Sequence, residues 1–161
     1  MVKAPAPISD AAAKKAKILA LRTMEHLNGA GMFGIEMFLT NDNQVLINEL
    51  APRVHNSGHY TIEACITNQF EQHIRAITGL PLGSTDMIVP FAVMINILGE
   101  RKGRMKLEGL HRALQLKGVS VHVYNKADTK LERKMGHITV ISDTIDQGLQ
   151  VAQEARSYIT I

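Results

Sequence analysis

Apolar and polar positions alternate along this chain in two periods, and the punctuation between them is clear. Val2 to Ile8 reads VKAPAPI, an extended segment, because each Pro fixes φ and restrains the residue before it. Ser9 and Asp10 are helix-entry residues, and from Ala11 to Leu27 the positions Ala16, Leu19, Ala20, Thr23, Met24 and Leu27 keep a helical period. Asn28-Gly29 ends that helix in the manner of a left-handed cap. Gly31 to Leu39 and Gln44 to Leu50 are apolar runs around the polar turn Asn41-Asp42-Asn43, which predicts a hairpin. A polar loop, Ala51 to Tyr60, leads into one long helix over Thr61 to Gly79, where Ile62, Cys65, Ile66, Phe70, His73, Ile74 and Ile77 recur at three and four. Gly79 caps it and Pro81 prevents continuation.

Residues 80 to 90 form a linker with Pro81, Gly83, Ser84 and Pro90. Beyond it the pattern predicts a strand over Phe91 to Leu98, a short helix over Lys106 to Lys117 and a strand over Val119 to Tyr124. A charged loop over Ala127 to Arg133, a strand over His137 to Ile141 and an amphipathic helix over Thr144 to Tyr158 complete it. The expected division is therefore residues 1–82 and residues 83–161, in an α+β fold. No repeat or low-complexity tract is visible.

Composition changes this picture little: 161 residues with 45% hydrophobic and 20% charged are ordinary for a globular chain. The net charge of +3 suits a phosphate-bearing small molecule, whereas 4% aromatic residues and no Trp give poor stacking platforms for nucleic acid. No nucleic acid or membrane partner is expected, since no apolar run approaches the roughly 20 residues of a membrane helix. The single cysteine, Cys65, lies in an apolar run and reads as a packing residue in a reducing, cytoplasmic compartment.

Three clusters carry chemistry. Glu36 and Glu49 interrupt the two apolar strands of the hairpin, and a period of two lets both project to one face. Two such carboxylates repel unless a cation relieves them, and magnesium suits carboxylate and phosphate oxygens; the alternative is a half-exposed sheet with solvated glutamates. Asn48 adds a neutral amide beside them. Arg53, His55, Asn56, Ser57 and His59 crowd the next loop, offering forked donors and a group that titrates near neutrality, although a polar loop capping the following helix has the same composition. Lys126, Lys130, Arg133, Lys134 and His137 form a basic group that could grip a phosphate or simply be a solvated loop.

In order, these segments resemble the N5-carboxyaminoimidazole ribonucleotide synthetase family of the ATP-grasp superfamily. The resemblance rests on GMFGIEMFLTNDNQVLINELAPRVHNSGHYTIEACITNQFEQHIRAITGLPLG, Gly31 to Gly83, on RKMGHITV, Arg133 to Val140, and on KAPAPI and MINILG. It implies the carboxy-terminal lobe of an ATP-grasp domain followed by a small β-rich carboxy-terminal domain, and an ATP-dependent ligase of purine biosynthesis. Such a ligase forms carboxyphosphate from ATP and bicarbonate and carboxylates aminoimidazole ribonucleotide. Carried over by position, Glu36 and Glu49 bind Mg2+ bridging the ATP phosphates, with Asn48 alongside. Arg53 and His55 face the reacting groups, with Asn56 and Ser57 beside the substrate, and Lys126, Arg133 and Lys134 hold its 5′-phosphate.

The sequence departs from the family pattern at Val54, Asn68 and Asn125, and at Leu131-Glu132, which stand where Pro-Gly is usual. The resemblance further implies an absent amino-terminal ATP-grasp half, without which the chain alone is inactive, and a homodimer. Two other function classes compete: a non-catalytic binding or assembly module on the same scaffold, and an ATP-grasp enzyme for another substrate, such as a formate-using transformylase. HNSGH and RKMGH argue against the last.

Overall fold

The computed structural model describes residues 1–161. Helix α1, Asp10–Leu27, begins where the Ser9 hydroxyl accepts from the Ala12 N–H and ends on Asn28, which takes the left-handed conformation at φ 48°. It packs against the hairpin of β2, Gly34–Leu39, and β3, Val45–Ala51. The hairpin register pairs Glu36 with Glu49, and a bulge at Asn48 shifts the pairing to Met37 with Ile47.

The single helix expected over Thr61 to Gly79 is instead two: α2, Thr61–Ala64, and α3, Gln69–Ile77. The break has a local cause. Asn68 is an N-cap whose side-chain oxygen accepts from the N–H groups of Phe70 and Glu71, 3.0 and 3.1 Å away. The freed residues bond to the linker, Ile66 N–H to Asp86, Thr67 N–H to Ser84, and Ile88 N–H back to Ala64. Cys65 is buried at the bridge it makes to Met87, and burial raises its thiol pKa, which suits packing rather than nucleophilic chemistry.

The second half is built on an antiparallel four-stranded sheet in the order β1, β4, β8, β6. These strands are Val2–Ala4, Phe91–Leu98, Lys134–Ser142 and Val119–Val123. The extended amino-terminal segment thus joins the sheet of the far half: Val2 pairs with Met94 and Ala4 with Ala92. β8 is longer than the expected His137 to Ile141, and the expected helix over Lys106 to Lys117 is only α4, Leu110–Leu114. Its start is fixed by Gly109 at φ 78°, where a Cβ would lie 1.7 Å from the Tyr158 carbonyl oxygen. A two-residue ladder, β5 Gly103–Arg104 with β7 Asp128–Thr129, braces the loop expected to be irregular.

One face of the sheet carries Val93, Ile97, Ile138 and Val140, which form the core with Ala113 and with Ala152, Ala155 and Ile159 of helix α5, Ile145–Tyr158. Small residues at 148, 152 and 155 let α5 approach closely; a Cβ on Gly148 would meet Val93 Cγ2 at 3.0 Å. The opposite face carries a polar row, because the register aligns Asn96, His137 and His122 across β4, β8 and β6. That face receives the loop and helices of the first half. No helix is long and apolar enough to cross a membrane.

Candidate functional site

The hairpin register places Glu36 and Glu49 side by side, and the loop after β3 returns His55 to them. His55 Nε2 lies 3.6 Å from a Glu36 carboxylate oxygen, and ligand atoms of Glu36, Glu49 and His55 all lie within 4.8 Å of one another. The Asn48 amide reaches the other Glu36 oxygen at 3.5 Å. Two facing carboxylates with no lysine or arginine partner among their contacts form an electronegative pair suited to a hard divalent cation. His55 Nδ1 sits 2.9 Å from the Ser57 hydroxyl, which turns Nε2 toward Glu36. Its Cβ touches Gly34, where any side chain would come within 2.7 Å of it.

Arg53, His55, Ser57, Gly58 and Gln69 line a pocket of about 150 Å³. Arg53 is exposed; its guanidinium donates to the Val54 carbonyl at 3.0 Å and keeps its remaining donors free. Behind the loop lies Gln69, buried in the first turn of α3. Its Oε1 accepts from the His55 N–H at 2.9 Å, and its Nε2 lies 2.9 Å from both the His55 carbonyl oxygen and His59 Nδ1. Nothing in the sequence singles Gln69 out, since a polar residue in a first helical turn is ordinarily exposed.

The same loop docks on the sheet's polar row. Asn56 and Asn96 exchange two amide hydrogen bonds. His59 stacks between Phe70 and His137, at ring centroid distances of 5.7 and 4.7 Å, and His137 stacks on His122 at 4.5 Å. His122 Nε2 meets Glu63 at 2.5 Å, and the Tyr124 hydroxyl meets His137 Nδ1 at 3.0 Å. Burial, then the neighbouring His122 and His59, push the His137 pKa down to about 3. Burial chiefly lowers that of His59, with His122, His55 and Lys134 adding to it. His137, read from the sequence as part of the basic phosphate group, is therefore a buried neutral residue: strand alternation turns it inward, and only 2% of it is exposed.

The basic loop between β6 and β8 leaves the sheet beside this stack. The Lys126 amine donates to the Lys134 carbonyl at 2.5 Å and lies over the Tyr124 ring, while Arg133 donates to the Asp128 carbonyl at 2.7 Å. Burial, then Arg133 and Lys134, lower the Lys126 pKa, so the three cations crowd one place. Asn125 and Glu132 both adopt left-handed backbone, at φ 50° and 60°.

Comparison with known proteins gives this arrangement its context. The ATP-grasp domain family model matches residues 1–70, and that of the phosphoribosylaminoimidazole carboxylase C-terminal domain matches residues 92–151. An N5-carboxyaminoimidazole ribonucleotide synthetase crystal structure from Thermotoga maritima matches with a TM-score of 0.93 and 50% identity over 98% of this chain. The chain belongs to the N5-carboxyaminoimidazole ribonucleotide synthetase family. It matches the carboxy-terminal portion of its members, covering 44% of the Thermotoga chain. Phosphoribosylaminoimidazole carboxylase of Candida albicans is 49% identical over 99% of this chain, which spans 28% of that relative. The Bacillus subtilis N5-carboxyaminoimidazole ribonucleotide synthase is 47% identical over 91% of this chain and 37% of its own. An Aspergillus clavatus synthase structure in complex with ADP and 5-aminoimidazole ribonucleotide matches 96% of this chain and 42% of its own, at a TM-score of 0.85 and 38% identity. Membership in this family accounts for the α+β fold, an ATP-grasp part joined to the small carboxy-terminal domain.

Proposed function

We propose that this chain supplies the metal-holding and substrate-facing side of a ligase that uses ATP and bicarbonate to carboxylate aminoimidazole ribonucleotide. The observation that carries the proposal is the pairing of Glu36 with Glu49 across the hairpin, with His55 Nε2 3.6 Å from Glu36. Glu36 and Glu49, with Asn48 beside them, would hold Mg2+ against the phosphates of ATP. Bound there, the ion would neutralise charge developing on the transferred phosphoryl group. Arg53 would offer its free guanidinium donors to the carboxyphosphate or its bicarbonate precursor. His55, oriented by Ser57, would present its Nε2 to the reacting groups, with Asn56 fixing the loop behind it. Lys126, Arg133 and Lys134 would hold the ribonucleotide 5′-phosphate. In this reading these residues close against an amino-terminal ATP-grasp half, in a homodimer, in the cytoplasm.

Isothermal titration of the chain with aminoimidazole ribonucleotide tests the reading. Binding that weakens in Arg53→Ala and in Arg133→Ala supports it. Lack of ATP-dependent bicarbonate consumption after adding the amino-terminal half of a relative counts decisively against it. A second reading, a non-catalytic assembly module, is favoured by the apolar side chains left uncovered on the first half, among them Leu21, Phe38 and Leu46 at 62%, 58% and 52% exposure. Self-association of the chain without ligand affinity would select that reading.

A further inference from the structure

Helix α3 presents two buried glutamines, Gln69 and Gln72, and each clamps a backbone. Gln72 donates to the Gly83 carbonyl at 2.6 Å and accepts from the Gly83 N–H at 3.0 Å, which ties the linker to the helix. Gln69 makes the equivalent pair of bonds to His55 and then a third contact, to His59 Nδ1. The His55 N–H can only donate, so Oε1 must face it and Nε2 must lie on the other side. Nε2 carries two hydrogens; one meets the His55 carbonyl oxygen and the other meets His59 Nδ1. That nitrogen must therefore accept, and the proton of His59 resides on Nε2. Gly58 leaves room for this arrangement, since a Cβ there would lie 2.5 Å from Gln69 Oε1 and 2.9 Å from its Cδ.

We propose that Gln69 is the positioning residue of the site: it holds the His55 backbone from both sides, keeps His59 in its neutral Nε2–H tautomer, and so joins the reaction loop to the Phe70–His59–His137–His122 stack. Its functional meaning rests on the ligase reading above, but its test does not. The polar atoms of Gln69 are taken up by the loop itself, through the His55 backbone and His59. It acts by holding His55 in the position from which the ring reaches Glu36.

Long-range proton–nitrogen correlation spectra of the 161-residue chain, with amide hydrogen exchange at His55, test the proposal. The expected result is an unprotonated His59 Nδ1 in the wild type and a proton on that atom in Gln69→Glu, whose carboxylate can only accept. Exchange at the His55 amide should accelerate roughly tenfold or more in Gln69→Leu and in Gly58→Ala. Gln72→Leu, which removes a clamp of the same kind from the same helix, should change neither readout. A wild-type His59 protonated on Nδ1 would overturn the proposal. So would unchanged exchange in Gln69→Leu, or an equal response in Gln72→Leu, which would reduce Gln69 to general stability. Failure of ribonucleotide binding would remove the ligase reading and leave these readouts as they are.

Discussion

Asn56 and Asn96, forty residues apart, exchange hydrogen bonds of 2.8 and 3.1 Å and thereby fasten the loop of the first half to the central sheet of the second. Each amide uses its nitrogen on one bond and its oxygen on the other, so neither can be replaced without leaving its partner half-buried and unpaired. Asn96→Ala should cost about 1–3 kcal/mol, the usual range for a lost pair with one member left unsatisfied. Urea unfolding measures that loss, and hydrogen exchange should show it concentrated at residues 55–60. An unchanged midpoint would mean that the ring stack, the Glu63–His122 bond and the pairing of β1 with β4 hold the two halves without it.

The stack itself predicts a pH dependence. His137 lies between His59 and His122, with the Tyr124 hydroxyl on Nδ1 and Glu63 bonded to His122. Its folded pKa of about 3 lies below the ordinary 6.5, so the unfolded chain binds more protons than the folded one below that value. Its stability contribution is fully present above about pH 6.5 and is lost as the pH falls toward 3. By pH 5 the loss from this one group is about 2 kcal/mol, and the lowered pKa of His59 adds to it with the same sign. Urea midpoints at pH 7.5 and pH 5 should differ accordingly. His137→Phe, which keeps a ring in the stack without a titrating group, should shrink the difference and leave only the smaller part due to His59.

The proposed cation site distinguishes oxygen from nitrogen ligands. Mg2+ and Mn2+ here should depend on the two carboxylates, because Mg2+ favours oxygen donors. Glu49→Gln should weaken Mn2+ binding by roughly tenfold or more, as read by electron paramagnetic resonance of the free ion. His55→Ala should leave it within about threefold. A larger loss in His55→Ala than in Glu49→Gln would indicate a softer, nitrogen-preferring ion.

The parts of this site that depend on local periodicity were legible in the sequence. The polar turn at residues 41–43 and the apolar runs on either side define the hairpin, and strand alternation sets Glu36 and Glu49 on one face. The bulge at Asn48 leaves no trace in that alternation. The break between α2 and α3 did have a signal, Asn68 three residues before Glu71, which is a helix-start pattern. The recurrence of apolar residues at three and four spans the break and masks it. The histidine stack had no local signal, because it depends on the register of β6 with β8 and on how the first half docks against them. Sequence proximity therefore groups His137 with Arg133 and Lys134, although the strand turns it away from solvent.

The basic loop offers a separate test of backbone and charge. Glu132 holds φ 60°, a conformation that costs an L residue roughly 1–2 kcal/mol, and its N–H is tied to the Gly99 carbonyl at 2.9 Å. It is also the position where the family pattern has Gly, so the strain and the departure coincide. Glu132→Gly relieves the backbone but frees the unfolded chain, and the net gain should be roughly 0.5–1 kcal/mol. Glu132→Gln removes the same charge and keeps the strain, so its melting temperature should stay at the wild-type value while that of Glu132→Gly rises by a few degrees. Both variants remove an acid next to Arg133, and both should tighten binding of aminoimidazole ribonucleotide if this loop holds its phosphate. Tightening confined to Glu132→Gly would assign the effect to loop geometry, and tightening in neither would place the phosphate elsewhere.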